Sequence, residues 1–112
     1  MTGQTLSIHV LDTAHGIPAR GMAVALCGRN GIIRGITNAD GRCPQLVPKP
    51  IPSGNYWLEF GVADYFRSHG VELPDPPFLD LVSIHFGMAA DGSHYHVPLL
   101  VSPYSYSTYR GS

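Results

Sequence analysis

The strongest constraint on this chain is a two-residue rhythm of apolar and other side chains, interrupted every few residues by glycine or proline. From Leu6 to Leu11, the residues Leu6, Ile8 and Val10 fall on one side, and Ser7, His9 and Leu11 on the other. Successive side chains of an extended strand point to opposite faces, so this period reads as a strand with one buried face. The rhythm returns from Tyr56 to Val62 and again from His94 to Val101, where Tyr95, Val97, Leu99 and Val101 form the apolar set. With 13 glycines and 10 prolines spread over 112 residues, the elements must be short.

Further strands are predicted at Met22–Cys27, Ile32–Thr37, Phe78–Phe86 and Tyr104–Tyr109, with a minor edge strand over Arg42–Val47. Arg29-Asn30-Gly31 and Asn38-Ala39-Asp40-Gly41 supply turns, because Asn-Gly and Asp-Gly tolerate positive φ. Asp12 to Gly21 and Lys49 to Gly54 read as loops. Ala63 to His69 lacks glycine, proline and β-branched residues and is predicted as a short helix, closed by Gly70. The expectation is an all-β chain, residues 1–112 as one domain: an antiparallel β-sandwich of seven to eight strands with one short helix. A small barrel satisfies the same periodicity.

Charge and composition exclude several classes. Charged residues make up 13% of the chain and the formal net charge is −1. Nucleic-acid binding calls for a basic stripe, and the sequence has none. No window holds the ~18 apolar residues of a membrane span, and the N-terminus has no basic start followed by a long apolar run. Cys27 and Cys43 match no metal or redox spacing and read as reduced thiols. A cytoplasmic protein is expected.

The face assignment isolates the candidate chemistry. With Leu6, Ile8 and Val10 turned to the core, His9 lies on the outer face. By the same count His94, His96 and Pro98 face outward in theirs, while Ser105, Ser107 and Tyr109 share one side of the last strand. A lone outward histidine is ordinary surface, and His15, His69, His85 and His94 are given no role. His9 and His96 differ because leucine and proline surround them on a face turned away from the core, which makes sense if a second subunit covers it. A zinc site built on His9, His94 and His96 is an alternative, but no carboxylate is evident to support it and Arg42 would repel a cation. No G-x-S-x-G nucleophile elbow occurs.

Several segments together resemble one family. They are His9-Val10-Leu11-Asp12, Gly16-x-Pro18-Ala19, Asn38-Ala39-Asp40-Gly41-Arg42, Tyr95-His96-Val97-Pro98-Leu99-Leu100 and the ending Tyr106-Ser107-Thr108-Tyr109-Arg110-Gly111-Ser112. They resemble the 5-hydroxyisourate hydrolases, of the transthyretin-related proteins, and the likeness runs over essentially the whole chain. It implies a transthyretin-like sandwich assembled as a homotetramer, with active sites where dimers meet and no cofactor. Those sites would be lined by His9, Arg42, His96 and the terminal Tyr109, Arg110, Gly111 and Ser112. The implied substrate is purine-derived 5-hydroxyisourate, opened by hydrolysis to 2-oxo-4-hydroxy-4-carboxy-5-ureidoimidazoline.

In such a site one of His9 and His96 takes a proton from water, and the other orients water or protonates the leaving nitrogen. Arg42 holds the developing oxyanion. Ser112 hydrogen-bonds substrate or water, Tyr109 walls the site, and Arg110 anchors the tail on a carboxylate. The alternative expectation is a transthyretin-like carrier of a small ligand, without catalysis.

Overall fold

The computed structural model describes residues 3–112. Eight strands form among them: β1 (Thr5–Asp12), β2 (Ile17–Pro18), β3 (Ala23–Gly28), β4 (Gly31–Ile36), β5 (Gly54–Gly61), β6 (Leu81–Met88), β7 (His94–Val101) and β8 (Tyr106–Thr108). One helix, α1 (Val62–Ser68), follows β5 directly. The strands make two four-stranded sheets, ordered β2-β1-β7-β8 and β4-β3-β5-β6. The sandwich, its strand number and its short helix match the expectation. Within it, one ladder is parallel, that between β1 and β7; the other pairings are antiparallel.

The core lies between the sheets, and period-two patterning builds it. Leu6, Ile8 and Val10 of β1 and Tyr95, Val97, Leu99 and Val101 of β7 are buried, as their alternation requires. They meet Val24 and Leu26 of β3, Leu58 and Phe60 of β5 and Val82 and Ile84 of β6. α1 adds Val62, Tyr65 and Phe66, all buried. Gly70 closes the helix at φ +79°, its amide donating to Arg67 O, as the sequence predicts. No helix among the described residues is long and apolar enough to cross a membrane.

The departures from the predicted elements have local causes. Arg42–Val47 is not a strand. Pro44 starts a single 3-10 turn, Pro44–Leu46, that drops Leu46 into the core. Cys43 lies so close to β4 that a Cβ on Gly35 would stand 2.5 Å from its Sγ. Both cysteines are buried and unpaired. β6 begins at Leu81 rather than Phe78 because the carbonyl of Asp80 already accepts from Val62 N and Ala63 N at the start of α1. Tyr104 falls in a turn, where Ser102 Oγ accepts from the amides of Tyr104 and Ser105, so β8 starts two residues later. The loop predicted over Asp12–Gly21 contains β2, paired with the end of β1.

One buried position in β1 is not apolar. Asp12 occupies the next inward place after Val10 and is 1% exposed. Its carboxylate accepts from Tyr65 OH (2.8 Å), from His15 N (3.0 Å) and from His15 Nδ1 (2.6 Å). Burial alone raises such a carboxyl, but the bonds from His15 and Tyr65 outweigh it and hold Asp12 below the usual carboxylate range. The same carboxylate ties α1 to the end of β1. Tyr65→Phe is expected to lower stability by about 1–3 kcal/mol, the cost of withdrawing a donor from a buried charged group. Urea unfolding at neutral pH measures it, and the loss should shrink as pH falls through the lowered pKa of Asp12 and the carboxylate is neutralised.

Candidate active site

The parallel ladder brings the candidate residues together. Its register pairs Thr5 with His94, Ser7 with His96 and His9 with Pro98. Paired residues of a ladder point to the same face, so Thr5, Ser7, His9, His94, His96 and Pro98 all lie on the outer side of the sheet. The face predicted for His9 and His96 is the one observed, and the two histidines stand diagonally across neighbouring strands.

His96 is half-buried and its ring is held at one nitrogen: Nδ1 is 2.6 Å from Ser7 Oγ. Its Nε2 has no hydrogen-bond partner among the described residues. Burial first, then electrostatic opposition from Arg42, His9 and His94, holds the His96 imidazole below its ordinary value of 6.5. A group so placed is neutral at pH 7 and can accept a proton.

Arg42 arrives from the loop after β4. Asn38 shapes that loop: its Oδ1 accepts from Asp40 N and Arg42 N, each at 3.0 Å, and its amide donates to Arg42 O at 2.8 Å. The turn then docks on β1, with Val10 N donating to Gly41 O at 2.8 Å. Gly41 sits at φ +75°, and a Cβ there would collide with Val10 O. Arg42 is thereby delivered beside the residue that follows His9 in β1. Its guanidinium is exposed and acts on the charge of His96.

The C-terminal segment extends the sheet beyond β8. Leu99 pairs with Thr108, and the same register resumes where His96 bridges Gly111, whose amide donates to His96 O at 2.8 Å. A Cβ on Gly111 would lie 2.6 Å from His96 Cδ2, so only glycine lets the tail pass this close to the ring. Tyr109 and Ser112 are exposed. Arg110 turns to the other side of β7: its Cζ stands 3.9 Å over the Tyr95 ring and Nη2 donates to Ser93 Oγ at 3.1 Å. The carboxylate expected to anchor it is replaced by an aromatic face, a hydroxyl and the His94 carbonyl, at 3.4 Å.

Reasoning from sequence missed Ser7, Thr5 and His94. Thr5 Oγ1 lies 2.6 Å from His94 Nδ1, and Ser7 Oγ lies 2.9 Å from His94 Nε2. The signal was available in the period-two count, which sets Thr5 and Ser7 on the face of His9, but the partner strand was unknown. The other histidines serve structure: His15 bonds Asp12, His69 caps α1 and His85 stacks on Trp57. Among the described residues no group of three His, Cys, Asp or Glu side chains is placed to hold a metal ion.

A family model described as the HIUase/Transthyretin family matches residues 6–111. The 5-hydroxyisourate hydrolase of Ralstonia nicotianae is 54% identical over 114 residues, spanning 96% of this chain and 97% of its own length. Among solved structures, the Klebsiella pneumoniae 5-hydroxyisourate hydrolase superposes with a TM-score of 0.83 at 34% identity, over 100% of both chains. Sea bream transthyretin in complex with thyroxine gives a TM-score of 0.81 at 30% identity, covering 95% of this chain and 93% of that one.

The electrostatic reading of His96 has a direct check. Removing a nearby positive charge makes protonation easier, so Arg42→Ala should raise the His96 pKa toward 6.5. An NMR titration of the ring resonances in the variant and the parent measures the shift, whose sign is upward.

Proposed function

The chain belongs to the HIUase/transthyretin family, and on that premise we propose that it is a 5-hydroxyisourate hydrolase. The observation that carries the reading is the gathering of His9, Arg42 and His96 on one outer face, with His96 held neutral and one nitrogen free. The substrate is a cyclic acyl-urea derived from urate, with an activated, imide-like C–N bond. Water adds to the ring carbonyl, the adjacent C–N bond breaks, and the ring opens to a carboxylic acid and a ureido nitrogen. An activated carbonyl of this kind needs positioning and proton transfer, which side chains alone can supply.

His96 takes the proton of the attacking water at Nε2, since its Nδ1 is engaged by Ser7. Arg42 presents fixed donors to the carbonyl oxygen as negative charge develops. His9, on the same face, orients the attacking water, and His96 returns the proton from Nε2 to the leaving nitrogen. Gly111 and Ser112 close one side, next to the ring of His96, and Tyr109 adds an exposed aromatic wall. Arg110 contributes by fixing the tail across Tyr95.

The proposal includes a homotetramer of single-domain chains, in the cytoplasm, with each site completed at the boundary between dimers. The exposure of Arg42, Tyr109 and Ser112 supports this, because a hydrolytic site gains from excluding bulk water and these groups face outward uncovered. Ile17, Tyr104 and Tyr106, also exposed, supply apolar surface for the contact. A carrier with this fold would need cover and apolar contact, but not a neutral imidazole beside a guanidinium.

The test is absorbance decay of freshly generated 5-hydroxyisourate with purified protein, alongside sizing of the assembly. Decay at the uncatalysed rate would falsify the assignment. His96→Asn is expected to lower kcat by about 10²–10⁴-fold, the usual worth of a general base, with the assembly unchanged. Gly111→Ala should lower kcat by about a hundredfold by displacing the His96 ring, since small misplacements in a reacting set have effects of that order.

A further inference from the structure

Outside the three residues assigned to the chemistry lies an unbroken line of hydrogen-bonding groups that ends at one of them. Thr5 Oγ1 is 2.6 Å from His94 Nδ1, His94 Nε2 is 2.9 Å from Ser7 Oγ, and Ser7 Oγ is 2.6 Å from His96 Nδ1. His94 is exposed and His96 half-buried, so the line runs from solvent to the ring assigned as the base. Resting on the hydrolytic reading of the site, we propose that His94 is a positioning and proton-exchange residue that acts on His96 through the Ser7 hydroxyl.

The bonds can be ordered in one direction only when His96 is ready to accept a proton. A free lone pair on Nε2 of neutral His96 requires the hydrogen on Nδ1. Nδ1–H then donates to Ser7 Oγ, Ser7 O–H donates to His94 Nε2, and His94 Nδ1–H donates to Thr5 Oγ1. Every group is satisfied and none is charged. When His96 takes a proton at Nε2, its Nδ1 proton passes to Ser7, and the original Ser7 proton passes to His94 Nε2. His94 then carries the positive charge at the surface and returns one proton to water from Nδ1.

The line now runs the other way, with Nε2–H of His96 poised to donate. Delivery of that proton to the departing nitrogen reverses the three transfers, and His94 recovers a proton from solvent. No proton is gained or lost over the cycle apart from the one the product carboxyl releases at neutral pH. The exchange spares the site an imidazolium facing Arg42 and His9, the two groups that, with His94, bear on the charge of His96. The remaining cation nearby, Arg110, donates to Ser93 Oγ and the His94 carbonyl and is held over Tyr95, on the other side of the strand.

The experiment uses the full-length assembled protein. His94→Gln keeps a hydrogen-bonding group near Ser7 but cannot exchange a proton. It should lower kcat about tenfold in dilute buffer, less than the 10²–10⁴-fold expected for losing the base itself. KM should be unchanged, and added imidazole should restore kcat in proportion to its concentration. Wild-type kcat at low buffer, or a loss that imidazole does not restore, overturns the exchange role. Nitrogen NMR of labelled histidine reads the tautomer independently of turnover. His96 should carry its hydrogen on Nδ1 in the parent and lose that preference in Ser7→Ala; an Nε2–H form in the parent, or no change in Ser7→Ala, overturns the positioning role. If the parent does not hydrolyse 5-hydroxyisourate at all, the functional reading fails by itself, and the tautomer measurement still decides the line.

Discussion

Eight successive partners, from Thr5 with His94 to Asp12 with Val101, lay β1 alongside β7 in parallel, and the candidate site depends on that ladder. Its register is enforced from the opposite face. A slip of one residue would move Leu6, Ile8 and Val10, or their counterparts Tyr95, Val97 and Leu99, from the core to the surface. Each buried apolar side chain is worth about 1.5–3 kcal/mol over its exposed state, so such a slip is prohibitive. The outer face inherits this precision at no cost of its own. Ser7 meets His96 within hydrogen-bond distance because the register that buries the inner face pairs them.

The second constraint is the closeness of the segments that meet this ladder. The turn that carries Arg42 and the tail that carries Gly111 both reach it through backbone hydrogen bonds, to Val10 and His96 respectively. Both require glycine at the point of contact, since a Cβ at Gly41 would strike the β1 backbone and one at Gly111 the His96 ring. Position is thus set by main-chain bonds to a rigid sheet rather than by long side chains, which suits groups that must hold a reacting geometry.

Much of this was legible in the sequence, for identifiable reasons. The strand faces of β1 and β7, the helix closed by Gly70 and the turn ending at Arg42 follow from periods and residue types that act locally. Whatever depended on a partner distant in the chain was not legible. The parallel direction of β1 against β7 has no local signal, so Ser7 read as an ordinary outward serine and His94 as surface. Arg110 was assigned a carboxylate by charge alone, whereas the structure offers it the face of Tyr95. Arg42–Val47 was read as extended because prolines bound it, yet Pro44 begins a 3-10 turn that buries Leu46. The face count singles out His9 and His96, the resemblance to 5-hydroxyisourate hydrolases adds Arg42, and the ladder with the turn docked on it brings the three together.

Two polar positions on β1 and β7 show how to tell structure from chemistry in such a sheet. Asp12 is fully inward and fully satisfied, by Tyr65 and twice by His15. Its charge is answered on every side, and its consequence is the docking of α1. His96 is half-buried, bonded at Nδ1 alone, and surrounded by groups that discourage its protonation. A residue serving only stability would be under no need to stand among like charges with a nitrogen unspent. Perturbation by neighbours is common to both residues and so does not separate them. The difference lies in what is left unspent: both Asp12 carboxylate oxygens are occupied by donors that dock α1, while His96 keeps Nε2 without a hydrogen-bond partner among the described residues.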